Sequence, residues 1–102
     1  MTHGPYRVSH SGALREQLER LLDLARIRGV HHRVAHALIE IEGHLELHPE
    51  SWGDPTHELP ALQLKMYRRV YDKLSIQYGV HTLQPVVFLI GITPKLDHPL
   101  AG

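Results

Sequence analysis

Residues 62–81 read L-Q-L-K-M-Y-R-R-V-Y-D-K-L-S-I-Q-Y-G-V-H. Leu62, Leu64 and Met66 alternate with Gln63, Lys65 and Tyr67, which predicts a strand continuing to Tyr71. Leu74, Ile76, Tyr78 and Val80 alternate in the same way with Ser75, Gln77, Gly79 and His81, the pattern of a strand buried on one face. Asp72-Lys73 between them reads as a tight turn, without the glycine that the tightest hairpins favour. The hairpin has one apolar face and needs something to cover it. The rest of the chain supplies the cover.

Upstream lies a short period-2 stretch, Tyr6-Arg7-Val8-Ser9, and then two helical patterns. Ser9 or Ser11 can cap a helix beginning near Gly12 or Ala13, and Leu14, Leu18, Leu21, Leu22 and Ala25 form one stripe along it. Arg26 and Arg28 suit the last turn of that helix, and Gly29 suits the position just past its end. A second helix runs from about Val30 to Leu47 with Val34, Leu38, Ile41 and Leu45 on one side, and Pro49 stops it. With almost nothing between them, the two helices form an antiparallel hairpin. Downstream, Val86-Val87-Phe88-Leu89-Ile90-Gly91-Ile92 is apolar on both faces, reads as the central strand, and ends by Pro94. The order β-α-α-β-β-β defines an α+β fold over residues 1–102, a single domain with the helical hairpin on one face of a small, mostly antiparallel sheet.

Length and composition exclude several classes. A chain of 102 residues buries roughly two-thirds of its unfolded surface and can stand without staples. It has no cysteine, hence no disulfide, thiolate ligand or Cys nucleophile. No stretch approaches the roughly 20 apolar residues of a membrane span, and no basic segment followed by an apolar run opens the chain, so a cytoplasmic protein without membrane contact is expected. The net charge is zero but unevenly spread. Residues 1–33 carry six arginines against Glu16, Glu19 and Asp23, a balance of +3, residues 34–64 carry −6 with no Lys or Arg, and residues 65–102 return to +3. A chain-wide nucleic-acid binder is normally more basic, although the asymmetry allows a local basic face.

If Leu64, Met66, Ile76, Tyr78 and Val80 face the helices, the open face of the sheet shows Lys65, Tyr67, Arg69 and Tyr71 beside Ser75, Gln77 and His81. Such a surface can meet phosphates with its cations and stack bases on its tyrosines, although antiparallel sheets also wet one face with the same residue types. Arg68 breaks the alternation and leaves the register around Arg68 and Arg69 open.

Taken in order, L-E-L-H-P-E-S-W-G-D-P at 45–55, L-K-M-Y-R-R-V-Y-D-K-L-S-I-Q-Y-G-V at 64–80 and V-V-F-L-I-G-I-T-P-K at 86–95 resemble the RelE/ParE superfamily of type II toxin–antitoxin toxins. The resemblance covers nearly the whole chain. It implies a small toxin neutralised by a cognate antitoxin, acting on the ribosome and its mRNA or, in the ParE branch, on DNA gyrase. In the ribonuclease branch, basic residues stabilise the transition state of 2′-hydroxyl attack, and a Tyr near the C-terminus aids proton transfer. Carried onto this sequence, the basic strand position falls on Lys65, Arg68 or Arg69, and the basic residue after the last strand on Lys95. The strand arginine of the pattern corresponds to Ser75, and no Tyr follows Tyr78, with His98 the only substitute near the C-terminus. Losing both groups lowers cleavage by several orders of magnitude at roughly 10²-fold each. A toxin that acts by binding its target is therefore expected, with Lys65, Tyr67, Arg68, Arg69, Tyr71 and Lys95 as contacts to target or antitoxin. An mRNA endoribonuclease using Arg68, Arg69 and Lys65 with His81 or His98 as acid–base is one alternative, and a non-toxic interaction module is another.

Two features need weighing separately. His32/His36 and His44/His48 are i,i+4 pairs, a spacing that lets two imidazoles share a metal, but they point to different sides of one helix and cannot converge. No metal and no cofactor is expected. The segment H-P-E-S-W-G-D-P-T-H-E-L at 48–59 holds the single tryptophan in a stretch that reads as neither helix nor strand. Pro49 ends the helix, Gly53 permits the reversal and Pro55 stiffens the path onward. Trp52 is expected to pin the helical hairpin to the sheet edge, the alternative being an exposed anchor for a partner.

Overall fold

The computed structural model describes residues 5–101. Strand β1 (Arg7–His10) leads into helices α1 (Gly12–Ile27) and α2 (His31–Leu47), then a single helical turn α3 (Pro49–Trp52). Strands β2 (Asp54–Leu59), β3 (Leu64–Tyr71), β4 (Leu74–His81) and β5 (Val86–Pro94) follow. The sheet order is β1-β5-β4-β3-β2, with β1 parallel to β5 and every other pair antiparallel. This is the expected α+β architecture, a helical hairpin with a mostly antiparallel open sheet. The apolar 86–92 run, expected at the centre, lies one strand off it, since β4 occupies the middle.

The helices form for the reasons their sequences state. The Ser11 hydroxyl accepts a bond from the Leu14 N–H at 3.1 Å, capping α1. At the other end Gly29 takes φ 72°, while the Val30 N–H reaches the Ala25 carbonyl and the Gly29 N–H that of Arg26. These two bonds are a Schellman closure, and only glycine enters that backbone region without strain. The hairpin then turns Leu14, Leu21 and Ala25 of α1 and Val34, Ala37, Ile41 and Leu45 of α2 into the core. Each fully buried Leu, Ile or Val side chain among them contributes about 1.5–3 kcal/mol.

Residues 48–59 are not the loop the sequence suggests. Pro49 has no N–H to lose at the first position of a helix, so it starts the turn α3 as well as ending α2. After Gly53 the chain joins the sheet as edge strand β2, with Asp54 opposite Arg68 and Leu59 opposite Leu64. No periodicity announces β2, because all of it except Leu59 is exposed. A bulge at Thr56 interrupts the pairing between Pro55 and His57. Pro55 faces Tyr67, a β3 residue whose backbone groups point toward β4, so its missing N–H leaves no ladder bond unmade.

The phase of β3 is the main correction. Asp72 and Lys73 take φ 47° and 62°, a two-residue primed turn that sets Tyr71 opposite Leu74. From there Arg69 pairs with Ile76, Tyr67 with Tyr78 and Lys65 with Val80. Leu74, Ile76, Tyr78 and Val80 face the helices as expected, so odd-numbered residues of β3 must share that side. Tyr67 is only 3% exposed and stacks on Tyr78 with ring centroids 5.3 Å apart. Leu64, Met66, Arg68 and Val70 take the open face, where Met66 lies over Gly79, whose missing Cβ leaves room for the sulfur. The turn strains one position without need: Lys73→Gly is expected to stabilise the fold by about 0.5–1 kcal/mol, read as a higher urea midpoint at unchanged slope.

Candidate functional site

Covered and open faces of the sheet differ in chemistry, and the flipped phase of β3 decides which residues each one holds. On the covered side Trp52 is 6% exposed and lies parallel to the His44 ring at 5.0 Å, with Tyr71 and Tyr78 around it. Arg69 donates through Nη1 to the Trp52 carbonyl at 2.9 Å and sits over the indole, 5.5 Å from its centroid. The Tyr78 hydroxyl donates to the Pro49 carbonyl. A Cβ on Gly53 would collide with that hydroxyl and with the Arg68 carbonyl. Pro49, Trp52 and Gly53 therefore anchor the hairpin to the sheet, with Pro55 stiffening the exit. Trp52 is the pin and not an exposed anchor for a partner.

The contact residues expected from the sequence separate into three groups. Lys65, Tyr67, Arg69 and Tyr71, expected on the open face, belong to the covered side, and Tyr67 is core. Lys65 is half-buried, lies 5.8 Å from the Tyr67 ring centroid and lines a recess of about 150 Å³ with Glu50, His81 and Thr82. His81 spends its Nδ1 accepting the N–H groups of Leu83 and Gln84, closing the β4–β5 turn. Lys95 and His98 lie beyond β5. The Lys95 backbone N–H bonds the Lys73 carbonyl, and His98 is 3% exposed, its Nδ1 accepting from the Leu100 N–H. Register places His81 opposite Leu64 and Arg69 opposite Ile76, so about 17 Å of strand separates the two at 3.3–3.4 Å per residue. His81 and Arg69 therefore do not converge, although His81 shares its recess with Lys65.

Arg68 is the exception. It reaches the open face with no hydrogen bond or ion pair to its guanidinium among the described residues. It forms the shared wall of two recesses. One, of about 440 Å³, is lined by Asp54, Thr56, Arg68, Arg69 and Val70. The other, of about 230 Å³, adds His57, Met66 and Gln77. Asp54, Thr56 and His57 are functional candidates that sequence reasoning missed, whereas Gln77 was expected on the open face. Three sit on the strand that has no local signal, and Gln77 becomes Arg68's neighbour only through the β3–β4 register. Apolar surface continues across the face through Val70, Phe88 at 36% and Ile90 at 47% exposure.

Burial pushes the Tyr67 and Tyr78 phenols up, away from the range in which they could shed a proton near neutrality. Burial, and then the Arg33 guanidinium, hold His98 below the ordinary imidazole range. Asp72, held low by two bonds from Arg33, sits nearby. Among the described residues no three His, Cys, Asp or Glu side chains are placed to hold a metal ion, and no helix is long and apolar enough to cross a membrane. Comparison with family models, curated proteins and solved structures yields no match.

Two measurements follow. Tyr78→Phe strands the buried Pro49 carbonyl and is expected to cost about 1–3 kcal/mol in denaturant unfolding, while Gly53→Ala is expected to cost at least as much through overpacking. The second concerns acid. His98 is neutral when folded, whereas the unfolded chain takes up the proton near pH 6.5, so stability is full above that value and falls as pH drops through it. His98→Asn, which keeps an acceptor for the Leu100 N–H, is expected to flatten the melting temperature between pH 7 and 5 relative to the parent.

Proposed function

We propose that this chain is a RelE/ParE-like toxin of a type II toxin–antitoxin system, acting in the cytoplasm by binding its target and held by a cognate antitoxin. The observation that carries the reading is the Pro49–Pro55 joint. It holds the helical hairpin on the sheet through Trp52, Gly53 and the Tyr78 hydroxyl, within the element order that the resemblance implies. Binding is favoured over cleavage by the scatter of the acid–base candidates. His81 closes a turn, His98 is buried, Ser75 stands where the family pattern has an arginine, and Tyr67 and Tyr78 are held in their neutral form. Arg68 takes over as the leading contact residue, since Arg69 and Tyr67 serve the packing between helices and sheet.

Induced expression of the chain alone in a bacterial host is the test. Growth arrest with intact mRNA is expected, accompanied by an SOS response if the target is gyrase. Arg68→Ala should relieve the arrest while leaving the unfolding free energy within about 0.5 kcal/mol of the parent, as an exposed side chain requires. Messages cut at the ribosomal A site would replace binding with ribonuclease action. Normal growth with accumulated, folded protein would remove toxicity and leave an interaction module.

A further inference from the structure

The two edges of β3 are not equally covered. Strand β2 pairs with it only from Leu64 to Arg68, so no strand lies beside Arg69–Tyr71 on that side. In a hairpin with a two-residue turn, the flanking pair Tyr71–Leu74 exchanges both hydrogen bonds, and the pattern alternates from there. The N–H and C=O of Val70 therefore point away from β4, into the 440 Å³ recess where β2 begins. The unpaired Arg68 guanidinium borders the same space. Arg69 brings a second positive charge to it, its guanidinium fixed over Trp52 from the other face.

We infer that this step in the sheet is a docking site for an extended, acidic peptide segment, which adds to β3 in line with β2. Main-chain bonds to Val70 would supply the pairing, and an Asp or Glu side chain of the segment would meet Arg68. Charge complementarity selects an acidic occupant, and Asp54 at the rim fixes its register by repelling a carboxylate placed one position away. Elsewhere the same edge is closed to addition. Pro55 has no N–H to offer an incoming strand, and the bulge at Thr56 twists β2 out of line. A single-stranded nucleic acid is disfavoured because Tyr67 and Tyr71, the tyrosines of β3, are turned into the covered side and cannot stack bases there. The inference rests on the binding-protein reading of the open face and not on what the partner does in a cell.

The test uses the full chain and a blocked hexapeptide alternating glutamate with valine, titrated by amide NMR and by fluorescence of Trp52, the single tryptophan. Saturable shifts centred on Val70 and Arg68, with a change in Trp52 emission transmitted through Arg69, are expected. Arg68→Gln should weaken binding at least about tenfold, as loss of a charge-assisted bond implies, and Asp54→Asn should tighten it. Val70→Pro removes the outward N–H at a position where β4 does not use it, and should abolish the shifts. Arg68→Gln reads out the same site if that proline variant fails to fold. The inference is overturned if the hexapeptide shifts neither residue, if a lysine-for-glutamate peptide binds equally well, or if oligouridylate saturates the site and the hexapeptide does not. Because toxicity plays no part in the titration, a protein that arrests growth without binding the peptide refutes this inference alone. One that binds the peptide without arresting growth refutes only the toxin reading.

Discussion

The hydroxyl of Tyr78, on the central strand, donates to the carbonyl of Pro49, at the start of the turn that follows α2. That single bond ties the middle of the sheet to the end of the helical hairpin. It dictates much of what surrounds it. Residue 53 must lack a side chain, because the phenol passes where a Cβ would stand. Trp52 is then brought down between His44 on α2 and the tyrosines of the sheet, and Arg69 closes over it. Tyr67 stacks on the other partner of the same ring system. A run of aromatic contacts, with a buried polar bond at its centre, holds the two layers where aliphatic packing alone would leave their relative position loosely specified.

Helices, hairpin turn and fold class were legible because their signals are local. A serine cap, a glycine closure and apolar residues at helical spacing each act within a few residues. Strand β2 was not legible, since an exposed edge strand has no apolar face and owes its existence to the neighbour it pairs with. The phase of β3 could have been read. Asp72-Lys73 reads as a tight turn, and a two-residue turn always sets odd residues of one strand against even residues of the other. With Ile76 and Tyr78 taken as core, Tyr67 had to be core as well. Hydropathy pulled the other way, since Leu64 and Met66 look like better core residues than Lys65 and Arg69. Register won because backbone pairing is shared by the whole strand, whereas each side chain counts once.

That correction reshapes the functional face. The residues expected on the open face for their charge and aromaticity lie on the covered side. Arg69 and Tyr71 serve the joint around Trp52, and the open face holds Arg68, flanked by Met66, Val70 and Gln77. The open face is thus mixed apolar and cationic. The histidines follow the same logic. His81 and His98 accept backbone N–H groups and close turns, and His44 pads the tryptophan. They behave as small polar packing units.

Strand β1 has consequences for how the chain is made. Among the described residues it pairs only with β5, Arg7 lying beside Val86, so of these five strands the earliest made waits for the latest. The hairpin is complete at Leu47, yet β5 ends only at Pro94. At roughly 5–20 residues per second, its apolar stripe stays uncovered for several seconds in every round of synthesis. The nascent protein is therefore most vulnerable to aggregation, and most open to capture by another chain, before β5 arrives.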